Sequence, residues 1–200
     1  MRKGILIDID TQNDFMKRGG ALYVPEAEDI IPRVDDMMEY AAGFGIRIIS
    51  TMDTHTEDDP EFDEFPPHCI KGTFGWQKMD GTLHEDRVEL GLNWKPPFPK
   101  GILEHQQIVI EKPSYDPFAS PAFEAIIELL DSPKSMVFGV ATDYCVRHAC
   151  LGLLERGCKV NLVLNATKPI MERTGRDTIE ELKDKGVEFI TSAEVMRVAV

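Results

Sequence analysis

Short apolar runs alternate along the chain with longer segments whose apolar residues recur at helical spacing. The short runs are apolar at both alternate positions, as are strands covered on two faces in a parallel sheet. This pattern predicts six strands, at residues 4–10, 46–51, 107–112, 135–138, 159–164 and 187–190. It predicts helices at residues 30–44, 121–130, 145–154 and 172–185, with a short terminal helix that begins at Ser192.

Strands that alternate with helices are typical of a three-layer α/β/α sandwich with a mostly parallel sheet, here of six strands. The opening strand, helix and strand would form a right-handed βαβ unit. A chain of 200 residues has the length of one ordinary domain. We therefore expect residues 1–200 to form a single α/β domain.

The periodic pattern breaks between about residues 52 and 100. This region contains three of the five histidines, both tryptophans and several prolines and glycines. So long a segment without a regular element, in a compact domain, usually carries function. Its aromatic content is too high for a solvated linker. We predict that it forms an extended loop layer over one edge of the sheet.

Acidic residues outnumber basic residues by 35 to 22, which gives a net charge of -13. This charge would repel phosphate polyanions and anionic lipids, so neither nucleic acid nor a membrane is expected as a partner. The sequence shows neither the apolar stretch of a signal peptide nor a run long enough to span a membrane. We therefore expect a cytoplasmic protein whose four cysteines stay reduced.

Three chemically active side chains stand at the ends of predicted strands. Asp10 ends the first strand, Lys112 ends the third, and Cys145 follows the fourth. In an open α/β sheet, ligands bind outside the carboxyl ends of the strands. An acid, a lysine and a thiol would therefore meet at one edge, which is the arrangement of an activated cysteine nucleophile.

Residues 139–147 join a predicted strand to a predicted helix. A glycine, an alanine and a Thr-Asp pair suit a tight turn followed by a helix N-cap. Cys145 would then lie in the first turn of the helix, where backbone N–H groups and the helix dipole favour a thiolate. The alternative is a buried cysteine that only packs as a small apolar residue.

Residues of the 52–100 region also offer nitrogen and oxygen ligands for a metal ion. The candidates are Asp53, His55, Glu61 and His68. Such a mixed set suits Zn²⁺, Mn²⁺ or Fe²⁺ better than Ca²⁺. Cys69 is a poorer candidate because it adjoins His68, and adjacent residues seldom reach one ion. The alternative is that the acidic residues belong to a solvated face.

Five short motifs follow one another along nearly the whole chain. They are DTQNDF at residues 10–15, Asp53-x-His55, FPPHCxxGTxG at residues 65–75, Glu111-Lys112, and GVATDYCV at residues 139–146. No single motif is specific, but their combination resembles the isochorismatase-like cysteine hydrolases, and in particular the nicotinamidase branch of that superfamily. The resemblance implies the α/β fold of that superfamily.

The resemblance also implies which residues catalyse the reaction. The triad of the superfamily corresponds to Asp10, Lys112 and Cys145. A cis peptide bond is implied between Val140 and Ala141. The backbone N–H groups of Ala141 and Cys145 are implied to form an oxyanion hole.

One divalent metal ion is implied by the resemblance, with Zn²⁺ preferred and Mn²⁺ or Fe²⁺ as alternatives. Asp53, His55 and His68 correspond to the metal ligands of the family. Glu61 corresponds to the remaining acidic ligand of some members, and Glu64 is the alternative to it.

The implied reaction is the hydrolysis of nicotinamide to nicotinate and ammonia through a thioester on the cysteine. The alternatives are another small amide, ureido or N-carbamoyl substrate, and a catalytically silent metal-binding module, against which the intact triad argues. Asp8 departs from the family pattern because it stands where an apolar strand residue is expected. We also expect a homo-oligomer. The residues expected to contact the substrate are Phe15, Phe65, Tyr115, Val140, Ala141 and Tyr144.

Overall fold

A computed structural model describes residues 4–131 and 134–198 of the chain. In this part of the chain a single sheet has the strand order β3-β4-β2-β1-β5-β6-β7, and every neighbouring pair is parallel. The strands are β1 (Ile5–Ile9), β2 (Ile48–Asp53), β3 (Arg87–Leu90), β4 (Gln107–Lys112), β5 (Lys134–Val140), β6 (Lys159–Lys168) and β7 (Glu188–Ile190).

Helices cover both faces of this sheet. They are α1 (Asn13–Met16), α2 (Ile31–Phe44), α3 (Pro121–Leu129), α4 (Arg147–Glu155), α5 (Glu172–Asp184) and α6 (Ser192–Val198). Alternate residues of β1, β2, β5 and β6 enter different apolar clusters. One cluster joins the sheet to α3, α4 and α5 and includes Ile7, Val137, Phe123, Leu153 and Leu182. The other joins it to α2 and α6 and includes Leu6, Met136, Val34, Met37 and Val195.

The predicted three-layer α/β/α sandwich with a parallel sheet is therefore confirmed. None of the described helices has the length and apolar character needed to cross a membrane.

The predicted number of six strands is wrong by one. The seventh strand, β3, lies inside the 52–100 region and pairs with β4 at the edge of the sheet. It has only four residues, and its alternate residues Arg87 and Glu89 are exposed. An edge strand of this length and polarity gives no apolar run by which the sequence could reveal it.

Strand β5 and the segment that follows it also differ from the prediction. Residues Thr142–Val146 form a π-helical turn before α4 begins at Arg147, whereas an α-helix was predicted from Cys145. Near the end of β5, Gly139 has a φ of 111°, and a Cβ there would lie 2.0 Å from the carbonyl oxygen of Ile9. Only glycine allows this close approach, which brings the end of β5 against the end of β1.

The 52–100 region lies over the carboxyl edge of the sheet, where it is tied to the segment after β1. Gln12 and Lys78 form an antiparallel bridge, and the N–H of Met79 donates to the carbonyl of Thr11. The side chain of Gln12 donates to the carbonyls of Asp53 and Trp76. These bonds hold the loop layer in place above the strand ends.

Candidate active site

Lys112, at the end of β4, has a fully buried side chain that lies among several polar groups. Its Nζ is 2.9 Å from Oδ2 of Asp10, 2.8 Å from Oδ1 of Asp53 and 3.7 Å from Sγ of Cys145. It also donates to the carbonyl of Ser114 at 2.8 Å. The structure thus brings together the acid, the lysine and the thiol that the sequence placed at one edge.

The ionisation of Asp10, Asp53 and Cys145 is coupled through Lys112. Burial alone would lower the pKa of Lys112, but Asp10 and Asp53 raise that pKa well above its usual range. Burial would raise the pKa of Asp53, but Lys112, His55 and His68 hold it well below its usual range. Burial raises the pKa of Asp10, and the attraction of Lys112 only partly offsets this effect. Lys112 therefore stays an ammonium, and Asp10 accepts a proton more readily than an ordinary carboxylate.

Cys145 differs from the sequence-based expectation of a thiolate stabilised by a helix terminus. Burial raises the pKa of its thiol well above the usual range; Lys112 opposes this rise, whereas the charges of Asp10 and Asp53 add to it. That expectation is wrong, because the sequence shows neither the depth of burial nor the second carboxylate. The resting group is a thiol, so a nucleophile forms there only if a base such as Asp10 removes its proton.

The four predicted metal ligands also lie together. One nitrogen or oxygen atom from each of Asp53, His55, Glu61 and His68 lies within 4.8 Å of the others. Nε2 of His55 and Nε2 of His68 are 3.1 and 3.3 Å from Oδ2 of Asp53, and both are 4.0 Å from Oε1 of Glu61. The structure places Glu61, and not Glu64, in this group, and Cys69 is not part of it.

Contacts behind the two histidines orient their rings toward the group. Nδ1 of His68 donates to the carbonyl of Pro66 at 2.8 Å, which directs Nε2 toward Asp53 and Glu61. Nδ1 of His55 lies 3.0 Å from Oδ2 of Asp59. Burial would lower the pKa of His55, but Asp53, Asp59 and Glu61 raise it to about 9. The negative surroundings and the two Nε2 atoms fit Zn²⁺, Mn²⁺ or Fe²⁺.

Asp59 is a functional candidate that the sequence reasoning missed. It lies four residues after His55, within an acidic segment that reads as a solvated face. The carboxylate behind a metal-binding histidine is a common device in such sites. The sequence offered one clue, which is that Asp59 lies four residues after a candidate ligand. Spacing in a loop, however, does not show which side chains meet.

A cavity opens onto both Cys145 and the candidate metal ligands. Its interior is narrow: about 20 Å³ is open to the centre of a water-sized sphere, within about 320 Å³ of space free of protein atoms that includes its open mouth. Its lining includes Asp53, Glu61, His68 and Cys145 together with the expected substrate contacts Phe15, Phe65, Tyr115, Ala141 and Tyr144. The rings of Phe65 and Tyr144 meet edge to face, with centroids 5.5 Å apart. A thiol, a candidate metal group and several aromatic rings therefore share one cavity.

Not every expected contact lines this cavity. Val140 is fully buried in the core and does not belong to the lining, although the cis peptide bond joins it to Ala141. Leu22 and Ile170 line the cavity instead. Single apolar residues so far apart in the sequence carry no chemical signal, so sequence reasoning could not find them.

We expect protein purified without a chelator to contain about one divalent metal ion per chain, held by the four candidate ligands. A double variant, His55→Ala with His68→Ala, should lose this metal because it loses both nitrogen ligands. Far-UV circular dichroism should stay unchanged, since His55 and His68 lie outside the helices and strands, on the loop layer over the sheet. The measurement is elemental analysis of both proteins.

His105→Ala is the matched control, because His105 is an exposed histidine paired with Asp86. It should keep the metal content of the wild-type protein. An equal metal content in the double variant, or wild-type protein without stoichiometric metal, would contradict the assignment of this site.

The fold is a parallel α/β domain whose candidate site combines a thiol, an acid and a lysine at the carboxyl edge of the sheet. The chain belongs to the isochorismatase family, because the model of the isochorismatase domain matches residues 4–194. It is 25% identical over 201 residues to the nicotinamidase of Saccharomyces cerevisiae, and the alignment covers 84% of this chain and 88% of that protein.

Two further comparisons agree with this assignment. The chain is 25% identical over 195 residues to the nicotinamidase/pyrazinamidase of Mycobacterium tuberculosis, with 94% of this chain and 98% of that protein covered. The crystal structure of the pyrazinamidase of Pyrococcus horikoshii in complex with zinc matches with a TM-score of 0.77 and 28% identity, covering 95% of this chain and 99% of that one. The chain is thus related to nicotinamidases within a family of hydrolases.

Proposed function

We propose that the protein is a metal-dependent nicotinamidase, which hydrolyses nicotinamide to nicotinate and ammonia through a thioester on Cys145. The observation that carries the proposal is the buried ammonium of Lys112. It lies 2.9 Å from Asp10 and 3.7 Å from Cys145, beside a cavity that also exposes the candidate metal ligands. The similarity to nicotinamidases of other organisms supports the choice of substrate.

In the first half of the proposed reaction, Asp10 takes the proton of the Cys145 thiol as the sulfur attacks the amide carbon. Lys112 stays charged and stabilises the negative charge on the sulfur. The backbone N–H groups of Ala141 and Cys145 stabilise the oxygen anion of the tetrahedral intermediate. Asp10 then returns its proton to the nitrogen, so the C–N bond breaks, ammonia leaves and a thioester remains.

In the second half, Asp10 takes a proton from a water molecule that attacks the thioester carbon. The C–S bond breaks as Asp10 passes its proton to the sulfur, which restores the thiol, and the acid product loses its remaining proton to solvent as the carboxylate. A divalent metal ion held by Asp53, His55, Glu61 and His68 would bind the ring nitrogen of the substrate and supply a Lewis acid beside the reacting groups.

The aromatic residues of the cavity suit a flat heteroaromatic ring. Phe15, Phe65, Tyr115 and Tyr144 line the same small space as the thiol. Rings of this kind hold a planar substrate by stacking and edge contacts and exclude water from the reacting atoms. We propose that these four side chains hold the pyridine ring while the carboxamide faces Cys145.

The charge around the cavity favours a neutral amide over an anionic one. Two larger surface cavities adjoin it, and their lining includes Asp59, Glu64 and Asp116. The arginine of these linings, Arg147, is paired with Glu181 by two hydrogen bonds. An N-carbamoyl amino acid would bring its carboxylate into this acidic surface, whereas nicotinamide carries no charge there. The same surface would repel the anionic product and so favour its release.

Benzamide should be a much poorer substrate than nicotinamide, although the two amides have nearly the same size. It lacks the ring nitrogen that would bind the metal, so the amide carbon would lose part of its alignment with Cys145. A loss of about 1.4 kcal/mol in the transition state corresponds to at least about a tenfold lower kcat/KM. The measurement compares kcat/KM for both amides on metal-replete protein.

Equal values for the two amides would show that the ring nitrogen is not recognised. Turnover of an N-carbamoyl or ureido compound, with none of nicotinamide, would contradict the proposed substrate class.

A further inference from the structure

A second buried pair of aspartate and lysine lies behind the candidate active site. Oδ2 of Asp8, in β1, is 2.8 Å from Nζ of Lys78, and both side chains are fully buried. Oδ2 also accepts a hydrogen bond from Ser50 at 2.8 Å, and Oδ1 accepts one from Thr11 at 2.9 Å. This is the aspartate that stands where the sequence led us to expect an apolar strand residue.

Hydrogen bonds connect this pair to the candidate base. Nζ of Lys78 donates to the carbonyl of Thr51 at 3.3 Å. The hydroxyl of Thr51 donates to Oδ1 of Asp10 at 2.6 Å and accepts the backbone N–H of Asp10 at 3.2 Å. Asp10 has a φ of 49°, in the left-handed region that few residues other than glycine adopt. Its conformation therefore depends on partners such as Thr51 that hold it.

Stability alone does not account for the buried pair. A buried ion pair can often be replaced by apolar residues of similar volume with no loss of stability, because burying the charges costs so much. The other residues of β1 are apolar and buried, so Asp8 is the one charged residue of this strand, and Lys78, Ser50 and Thr11 meet its oxygens. Lys78 belongs to the loop layer that carries the candidate metal ligands, and Asp8 belongs to the strand that leads to Asp10.

We propose that Asp8 and Lys78 are positioning residues, which hold Thr51 and Asp10 so that the carboxylate of Asp10 faces Lys112. This inference rests on the proposed function, in which Asp10 is the base. Neither residue lines the substrate cavity. Their effect is therefore on the rate of the chemical steps and not on substrate binding.

The test is a double variant, Asp8→Leu with Lys78→Met, which replaces the ion pair by apolar side chains of similar volume. We expect its kcat to fall by about 10- to 100-fold, because small displacements of catalytic groups have effects of this size. KM, metal content and the thermal midpoint of unfolding should stay close to those of the wild-type protein. This separation of kcat from KM and stability is the result that a purely structural ion pair would not give.

The matched control is Glu124→Leu with Arg156→Met, which removes a partly buried ion pair between the segments of α3 and α4. Its kcat should equal that of the wild-type protein. If the first double variant does not fold, Asp8→Asn with Lys78→Met takes its place, since asparagine keeps an oxygen that accepts hydrogen bonds. An unchanged kcat in the folded variant would overturn the proposal.

Crystal structures of the wild-type protein and the double variant give a second readout that needs no substrate. We expect the carboxylate of Asp10 to move by about 1 Å or to lose its bond to Thr51, a displacement large enough to impair catalysis. Unchanged positions of Asp10 and Thr51 would overturn the inference. A wild-type protein that hydrolyses no amide would instead refute the proposed function, and the two crystal structures would still decide the inference.

Discussion

Replacing Cys145 with alanine is expected to abolish amide hydrolysis while leaving the fold intact. The thiol is the only proposed nucleophile, and it lies 3.7 Å from the ammonium of Lys112 beside the substrate cavity. Loss of the nucleophile from a coupled catalytic group lowers kcat by at least about 10⁴-fold in comparable enzymes. The measurement is ammonia release from nicotinamide, together with circular dichroism of the purified variant.

Cys158→Ala provides the matched control for this variant. Cys158 is a buried free cysteine that packs in the core, and it does not line the cavity. Its loss should leave kcat close to that of the wild-type protein. Near-normal turnover by the Cys145→Ala variant would exclude the thioester mechanism.

Replacing Lys112 with methionine is expected to lower both activity and stability. Without the ammonium, the charge that forms on the sulfur would lose the cation that lies 3.7 Å from it, so we expect kcat to fall by about 10³-fold. Asp10 and Asp53 would also remain buried without their cation, which costs about 3–5 kcal/mol when one partner of a buried pair is removed. The measurements are kcat at a temperature where the variant is folded and the free energy of unfolding by denaturant.

Lys71→Met is the control for the Lys112 variant. Lys71 pairs with Glu111, the residue before Lys112, but its side chain is 54% exposed. Exposed ion pairs contribute about 0–1 kcal/mol, so this variant should be nearly as stable and as active as the wild-type protein. A Lys112→Met variant that matched this control in both measurements would contradict the central role given to the ammonium.

Much of the fold follows from the sequence because buried parallel strands are apolar on both faces. The interior strands β1, β2, β4, β5 and β6 all overlap predicted apolar runs, although β2, β5 and β6 extend beyond their predicted ends. The edge strand β3 was missed because half of its residues face solvent. Periodicity therefore reveals strands that are buried on both faces, and it does not reveal a short edge strand whose alternate residues face solvent.

The convergence of Asp10, Lys112 and Cys145 followed from a general property of open parallel sheets, whose strand ends share one edge. The ionisation of Cys145 could not be predicted in this way. It depends on burial and on the distances to Lys112, Asp10 and Asp53, which the sequence does not contain. The rule for helix N-termini gave the wrong direction for this pKa because it considers only the local segment.

Contacts between distant segments were beyond the reach of the sequence. Asp8 looked out of place as a charged residue in an apolar strand, but its partner Lys78 is seventy residues away. Asp59 resembled its acidic neighbours until the fold placed it beside His55. A sequence shows which residues have unusual chemistry for their surroundings, whereas the fold shows which of them meet.

The hydrolysis of nicotinamide by the purified, metal-replete wild-type protein tests the central claim most directly. Nicotinate and ammonia should form in equal amounts, and neither should form with the Cys145→Ala variant. If the folded, metal-containing protein forms no nicotinate, the proposed function is contradicted, whether or not the protein hydrolyses another amide.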